Sequence, residues 1–355
     1  MRTPTLIRSA ALLAGATLLL AGCAAAPEKS GSDSASEFCA RMVTNSGGLQ
    51  DKSFNQSSWE GLQKAEKSVG LEAKVLVSNS ESDLEPNVQQ AADSGCGFVL
   101  TVGYELTPAT LAAAKANPKT DFALVDDTAE AKNLKPIVFD TAQAAYLAGY
   151  LAAGVSKTGT VATFGGGNQP PVTLFMDGFV DGVAHYNEVH GTTVRALGWD
   201  KTKQDGSFTG DFEDTAKGLA LTQGFIDQGA DVILPVAGQV GEGAAAAALE
   251  AGNVSIIWVD SDGYDTLAAE YRPILLTSVL KNTSDAVVTI AGEAKKKTFT
   301  NTPYVGTLEN DGVGIAPFHD RASSVSSELA SEIDGLKAKI ISGEVEVSSP
   351  SSPKK

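Results

Sequence analysis

Short apolar segments alternate with helical segments along most of this chain, and this alternation constrains the fold more than any other feature. The first half is predicted to hold strands at 38–44, 73–77, 98–102 and 122–125, with helices at 53–69, 83–94, 107–116 and 142–155. After a second start near Gly159, strands are predicted at 159–164, 193–197, 232–236 and 256–259. Such alternation is typical of a parallel sheet covered by helices on both faces. We therefore predict an α/β fold.

The chain also contains an internal repeat with a spacing of 134 residues. DSGCGFVL at 93–100 resembles DQGADVIL at 227–234, and LVD at 124–126 resembles WVD at 258–260. Two matches at one spacing predict two doubly wound lobes of the same topology. We place the N-terminal lobe at 38–156 plus about 264–298, and the C-terminal lobe at 157–263 plus about 299–345. Ligands of such sheets bind beyond the carboxyl ends of the strands, so we expect a cleft between the lobes.

Both ends of the chain differ in composition from the part between them. Residues 1–22 have a basic start and an apolar run too short for a permanent membrane helix, which is typical of a signal peptide. The run ends in LAGC, which resembles a bacterial lipobox with Cys23 as the lipidated residue; an ordinary secretory signal is the alternative. We predict a flexible tether at 23–37, a disordered tail at 346–355 and a lipid anchor on the extracytoplasmic face of the cell membrane.

Cysteine usage and charge narrow the partners and ions that the protein could bind. Cys39 and Cys96 could form a disulfide in an oxidising compartment if their strands are neighbours; two buried thiols are the alternative. The formal net charge of −16 disfavours a nucleic-acid partner. Three scattered histidines form no zinc pattern, and the segment DSDG at 260–263 lacks the later ligands of a calcium loop. We expect neither a metal nor a cofactor.

The loops at the predicted strand ends carry no catalytic pattern. The sequence contains no G-x-S-x-G elbow and no cysteine with a plausible histidine base. The glycines at 165–167 lack the spacing of a nucleotide-binding fingerprint. An extracellular nucleoside hydrolase would need several aspartates around one metal, whereas these aspartates lie in separate loops. We therefore predict a binding protein without catalytic residues.

Several of these loop residues are of types that bind small polar ligands with flat faces. Phe54 and Phe212, in opposite lobes, could stack on the two faces of one ring. Asp260 could accept hydrogen bonds from a vicinal diol, and Lys281 could donate to the same oxygens. Each residue type has an ordinary structural role as well: core packing for phenylalanine, helix capping for aspartate and solvation for lysine.

The start of the helix at 53–69 also has a predicted structural device. Ser53 can cap the helix through its hydroxyl group, and Gln56 three residues later can bond back to the chain. The sequence therefore predicts a capping box at this helix start, beside the ring of Phe54.

Residues 44–62, TNSGGLQDKSFNQSSWEGL, resemble the signature of the basic membrane protein family of nucleoside-binding lipoproteins. Weaker resemblances follow in order: AAYLAGYLAA at 144–153, GFVDGV at 178–183, GADVI at 229–233 and VDSD at 259–262. The resemblance implies a type I periplasmic-binding fold. It also implies capture of purine nucleosides for an ABC importer, with an ABC permease in the cell membrane as partner. We expect a monomer.

The resemblance further implies which residues bind the nucleoside. Phe54 and Phe212 would stack on the base, with Phe208 as the alternative second ring, and Asp260 and Lys281 would bind the ribose. The expected ligand-binding residues are Asn45, Ser53, Phe54, Asn55, Tyr104, Asp126, Phe212, Gly238, Asp260 and Lys281.

One of these positions departs from the family pattern. Asn45 and Asn55 would contact the polar edge of the base, and the family usually has aspartate where this chain has Asn45. Ionised aspartate only accepts hydrogen bonds, whereas asparagine donates and accepts. Adenosine, guanosine, inosine and pyrimidine nucleosides therefore all stay open as ligands. A sugar or other small polar solute, or a surface lipoprotein that senses its ligand, are the alternatives.

Overall fold

The computed structural model describes residues 38–353 of the chain. The predicted signal peptide, the lipidation site at Cys23 and the tether lie outside these described residues. None of the helices in the described part is long and apolar enough to cross a membrane.

Strands and helices alternate as the sequence predicts. The strands are β1 Cys39–Thr44, β2 Glu72–Leu76, β3 Phe98–Val102, β4 Asp121–Val125, β5 Leu134–Phe139, β6 Thr160–Gly165, β7 Arg195–Leu197, β8 Trp199–Asp200, β9 Asp205–Gly206, β10 Val232–Val236, β11 Ser255–Asp260, β12 Leu275–Lys281, β13 Tyr304–Gly306 and β14 Val313–Ile315. The helices are α1 Phe54–Val69, α2 Glu81–Asp93, α3 Thr107–Ala116, α4 Thr141–Val155, α5 Pro170–His190, α6 Thr215–Asp227, α7 Val240–Ala251, α8 Gly263–Thr266, α9 Thr283–Lys296 and α10 Ser327–Ser342. Short 3₁₀ helices span Tyr104–Leu106, Ala269–Ile274 and His319–Ser324.

Two six-stranded sheets share one topology. The first has the order β13-β5-β4-β3-β1-β2 and the second has the order β14-β12-β11-β10-β6-β7. All pairs in both sheets are parallel except β12 with β14. The strand pairs β3/β10 and β4/β11, which the 134-residue repeat relates, occupy equivalent places in the two sheets. The prediction of two doubly wound lobes is confirmed.

The chain crosses between the lobes three times, and the crossings differ from the expected boundaries. The passages run from β5 to α4, from β12 to α9 and from β13 to β14. β12 lies in the second sheet, although 264–298 was expected in the first lobe, and β13 lies in the first sheet, although 299–345 was expected in the second. The connection from β11 to β12 holds only short helical turns, which keeps β12 beside β11. The crossing follows β12, because α9 packs on α1 of the first lobe.

Helices α4 and α5 pack closely through glycines of two of the family-like segments. A Cβ atom added at Gly149 would overlap the backbone oxygen of Phe179, and one added at Gly182 would overlap the backbone oxygen of Tyr146. Only glycine lets the two helix backbones approach so closely. The close packing of α4 on α5, beside the first lobe crossing, thus explains why glycines occur in the segments 144–153 and 178–183.

A disulfide joins the start of β1 to the segment just before β3, the strand beside β1 in the first sheet. Cys39 begins β1, and Cys96 lies two residues before β3, which pairs with β1. Their Cα atoms are 4.9 Å apart, which lies in the usual range for disulfides.

The C-terminal segment, residues 346–353, packs against the second lobe and the first lobe crossing, although its Ser/Pro composition predicts a disordered tail. The Ser349 hydroxyl group donates to the carboxylate of Asp177 in α5, at 2.6 Å. The Ser352 hydroxyl group donates to the carboxylate of Asp140, at 3.3 Å. Asp140 lies in the first lobe crossing, between β5 and α4. Side-chain partners elsewhere in the fold therefore hold a segment that has no apolar pattern of its own.

Candidate ligand-binding site

A cleft between the lobes lies at the carboxyl ends of the central strands of both sheets. It contains about 570 Å³ of empty space, part of which is open to solvent. It is lined by Asn45, Gly47, Asp51, Phe54, Gly103, Tyr104, Glu105 and Asp126 of the first lobe, and by Gln169, Pro171, Val172, Phe175, Phe212, Val236, Ala237, Gly238, Gln239, Val259, Asp260 and Lys281 of the second.

Most of the predicted ligand-binding residues come together in this cleft. The lining includes Asn45, Phe54, Tyr104, Asp126, Phe212, Gly238, Asp260 and Lys281. Ser53 and Asn55 are buried and do not line it. Tyr104 lies at the rim, with 39% of its surface exposed.

The start of helix α1 is held by Asp51, a residue that the sequence analysis did not single out. Its carboxylate accepts hydrogen bonds from the backbone N–H groups of Ser53 at 3.1 Å, Asn55 at 2.7 Å and Gln56 at 3.1 Å. The predicted capping box is wrong, because Asp51 takes the donors that a serine cap would bind and the Ser53 hydroxyl group makes no capping hydrogen bond to the start of α1. Burial raises the pKa of Asp51, and its N–H donors oppose this effect.

Two phenylalanine rings from opposite lobes line the cleft. Phe54 begins α1 in the first lobe, and Phe212 packs over the turn that follows β6, where a Cβ atom at Gly166 would overlap its ring. Phe208, the alternative second ring, instead contacts the ring of Trp199 edge-on, with centroids 5.9 Å apart. Of the two candidate rings, Phe212 lines the cleft and Phe208 does not.

One buried lysine faces two buried carboxylates at the centre of the cleft. The Lys281 ammonium group lies 2.6 Å from an Asp126 oxygen, 3.7 Å from an Asp260 oxygen and 4.4 Å from the centroid of the Phe54 ring. Burial raises the pKa of Asp126, and the charge of Lys281 opposes this effect. Burial likewise raises the pKa of Asp260, to about 6. Two carboxylates sharing one ammonium group leave acceptor capacity for the hydroxyl groups of a ligand.

Asp126 and Asp260 also share an unusual backbone conformation. Their φ angles are 75° and 65°, in the left-handed region that non-glycine residues seldom adopt. Both follow the last apolar residue of their strands, β4 and β11, and they are 134 residues apart. Such conformations cost about 1–3 kcal/mol each and cluster at functional sites.

A hydrogen-bonded group surrounds Asn45 at the end of β1. The backbone N–H of Gly47 donates to Asn45 Oδ1 at 3.1 Å, and Asn55 Nδ2 donates to the same oxygen at 2.7 Å. Asn55 is 1% exposed, and its own Oδ1 is buried without a hydrogen-bond partner among residues 38–353. Asn55 therefore positions Asn45 from behind the cleft rather than lining it.

Contacts across the cleft bring the lobes together. The Gln169 side chain donates to the Glu105 carboxylate at 2.8 Å, and both residues line the cleft. The Lys281–Asp126 ion pair also joins the two lobes. Phe175 of α5 adds a third phenylalanine ring, which sequence analysis missed because a phenylalanine inside a helix resembles any core residue.

The cleft has the chemistry of a binding site for a polar molecule with flat apolar faces. Aromatic rings offer stacking surfaces, and buried carboxylates offer acceptors. In residues 38–353, no group of three or more histidine, cysteine, aspartate or glutamate side chains is arranged to hold a metal ion.

Comparisons with known proteins agree with this geometry. The pattern of the Bmp family, described as "ABC transporter substrate-binding protein PnrA-like", matches residues 39–351. The chain is 31% identical to the "CD4+ T-cell-stimulating antigen" of Listeria innocua, over 98% of both chains. It is 32% identical to the "ABC transporter nucleoside-binding protein BmpA" of Lactococcus lactis, over 97% of this chain and 98% of that protein.

A solved structure of a solute-binding protein shares the fold. The ABC transporter solute-binding protein from Aeropyrum pernix superposes with a TM-score of 0.78 at 23% identity, covering 88% of this chain and 94% of that one. The expected type I periplasmic-binding fold is confirmed. The chain belongs to the Bmp (PnrA-like) family of ABC transporter substrate-binding proteins, which bind and deliver a ligand rather than convert it.

Proposed function

We propose that this protein captures nucleosides in the cleft between its lobes and presents them to an ABC permease. In this proposal the chain is tethered through a lipid on Cys23 to the extracytoplasmic face of the membrane. The Lactococcus lactis relative, which bears the name of a nucleoside-binding protein, supports the ligand class.

The base would stack between rings of the two lobes. Phe54 and Phe212 approach the cleft from opposite sides, so a flat ligand between them would contact both lobes at once. Stacking of a base on an aromatic ring contributes roughly 1–3 kcal/mol. A ligand that contacts both lobes favours the closed arrangement over the open one.

The ribose would bind at the buried ion cluster. The observation that carries the proposal is the position of Lys281, whose ammonium group contacts two carboxylates and the face of the Phe54 ring. A ribose diol donates to carboxylate oxygens, and a base can lie against the neighbouring ring. The cluster thus offers acceptors for the ribose hydroxyl groups beside an aromatic surface for the base, and a nucleoside contains both parts.

Calorimetric titration of the soluble protein lacking Cys23 tests the proposal. The protein is unfolded and refolded to remove carried ligand, then titrated with adenosine, guanosine, inosine, uridine and ribose. We expect saturable binding of one or more nucleosides and none of ribose. Binding of ribose alone, or of none of these compounds, would contradict the proposal.

Paired variants test the ring assignment in the same assay. Phe212→Ala is expected to weaken nucleoside binding by about 5- to 150-fold, because it removes one stacking surface. Phe208→Ala is the matched control, since its ring packs on Trp199 outside the cleft lining. Equal losses in the two variants would contradict a stacking role for Phe212.

A further inference from the structure

A second cavity adjoins the ligand-binding cleft beside the buried ion cluster. It contains about 1280 Å³ of empty space, part of which is open to solvent. Tyr104, Asp126 and Pro171 line both this second cavity and the cleft. Phe139 lines the second cavity, and the centroid of its ring lies 5.6 Å from the Lys281 ammonium group. The two spaces therefore meet at the residues that would bind the ribose.

The C-terminal segment forms one wall of the second cavity. Residues 350–353 line it together with residues of both lobes. The Ser349 hydroxyl group, which donates to Asp177, holds the segment on α5. The hydroxyl groups of Ser351 and Thr173, which lie 3.1 Å apart, make a second contact with the same helix. The second cavity thus has walls from three separate parts of the chain.

Most side chains around the second cavity are apolar. They include Val138 and Phe139 of β5, Val305 of β13 and Leu174 of α5, and five prolines add to them. An uncharged group can lie against such a surface without the cost of burying a charge. The second cavity therefore suits an uncharged part of a ligand.

The charged side chains around the second cavity are all acidic. Asp126, Asp127 and Glu130 line it, and no lysine, arginine or histidine of residues 38–353 does so. The Lys281 side chain, which pairs with Asp126, is 3% exposed and also faces Asp260. Burial raises the pKa of Asp126, and the charge of Asp127 adds to this rise. A phosphate group in this space would therefore meet like charges without a free cation to bind it.

The proposed nucleoside has one ribose group left that can enter the second cavity. Its base stacks on Phe54 and Phe212, and its 2′,3′-diol binds the carboxylates of Asp126 and Asp260. The 5′ carbon then carries the group that can extend past Asp126.

We propose that the second cavity receives the 5′ substituent of the bound nucleoside, accepts uncharged groups there and rejects a phosphate. Asp127 and Glu130 determine this specificity through their charge, and the apolar wall provides the contact surface. The inference rests on the proposed function, and it specifies which nucleoside derivatives the site takes.

Calorimetry with three ligands at pH 7.5 tests the proposal: the nucleoside that binds most tightly, its 5′-O-sulfamoyl derivative and its 5′-monophosphate. The sulfamoyl group has nearly the shape of a phosphate without its charge. We expect the sulfamoyl derivative to bind within about tenfold of the nucleoside, and the monophosphate to bind about a hundredfold or more weakly than the sulfamoyl derivative. Higher salt should reduce only the second difference, because salt screens repulsion between charges.

Variants of the acidic side chains locate the repulsion. Glu130 is exposed, and Glu130→Lys should raise the affinity for the monophosphate relative to the sulfamoyl derivative by about fivefold or more. Asp127→Asn should raise this ratio less, because asparagine removes a repelling charge without adding an attracting one. Glu250→Lys is the control, since it makes the same change of charge at an exposed position of α7. Equal ratios in Glu130→Lys and Glu250→Lys would contradict the role of Glu130.

Two results would overturn the proposal while nucleoside binding stands. A sulfamoyl derivative that binds as weakly as the monophosphate would show that the second cavity does not receive the 5′ group. A monophosphate that binds as tightly as the sulfamoyl derivative would show that the carboxylates do not reject it. If the wild type binds no nucleoside, the proposed function itself fails, and the proposal for the second cavity fails with it.

Discussion

Replacing Asp260 by asparagine should stabilise the unliganded protein while weakening nucleoside binding. Burial raises the pKa of Asp260 from its ordinary value of 3.8 to about 6, even though Lys281 attracts its charge. The carboxylate is therefore ionised at neutral pH in a place that disfavours the charge. Asparagine keeps the shape and, like aspartate, tolerates the φ of 65° at this position.

The size of the effect follows from linkage between proton binding and folding. Folding raises this pKa, so the ionised carboxylate lowers stability most above pH 6, and this penalty disappears as the pH falls below 3.8. The two pKa values correspond to a penalty of about 3 kcal/mol at pH 7.5 and roughly half of that at pH 5. Asp260→Asn removes the charge and should gain stability of this order at each pH.

Urea unfolding of the ligand-free proteins at pH 7.5 and pH 5 measures the gain. Asp334→Asn is the control, since this exposed residue in α10 should change the free energy of unfolding by less than about 0.5 kcal/mol. The variant should also bind nucleosides about tenfold or more weakly, because hydroxyl groups bond more strongly to a charged acceptor. An Asp260→Asn protein less stable than wild type at pH 7.5, or a gain that grows at pH 5, would refute the reasoning.

Two further predictions concern the fold. Cys39→Ser should lower the free energy of unfolding by about 4 kcal/mol, because the disulfide closes a loop with a sequence separation of 57. If the wild-type protein, unfolded without reductant, has two thiols that can be alkylated, Cys39 and Cys96 are not bridged. Ser349→Ala should destabilise the protein by about 1–3 kcal/mol in urea unfolding, because it removes a donor from the fully buried Asp177 carboxylate. Unchanged stability in that variant would indicate that the C-terminal segment does not pack on α5 in solution.

The sequence predicts the central strands of the two sheets better than the strands towards one edge. β3, β4, β10 and β11 follow from their apolar runs and from the 134-residue repeat. β5 escapes prediction because it contains Pro136 and Lys135, residue types that favour a strand edge or a loop. Its lysine is tolerated inside the protein through an ion pair with Glu293 at 2.6 Å. Only the tertiary structure supplies that partner.

The site could be located from the sequence, but its internal contacts could not. Parallel sheets place ligands at strand ends, so the loops that hold Asp126, Asp260 and Phe212 were predictable. Whether Asp51 or Ser53 caps α1 depends on how the preceding loop turns, which no local pattern encodes. The position of the C-terminal segment could not be predicted either, because it depends on partners such as Asp177 that lie far away in sequence.

The paired aspartates restrict how the two halves of this protein could be recombined. Asp126 and Asp260 stand at equivalent places in two copies of one topology, each in a left-handed backbone conformation. In a chimera that takes one half from a relative, the half kept from this chain would retain its aspartate in the left-handed conformation. It would do so whether or not the new half supplies a partner for the carboxylate. Both carboxylates depend on Lys281, which belongs to the second sheet but lies at the crossing into the first. A chimera of two halves should therefore bind its ligand only if Lys281 comes from the same parent as the turns that hold Asp126 and Asp260.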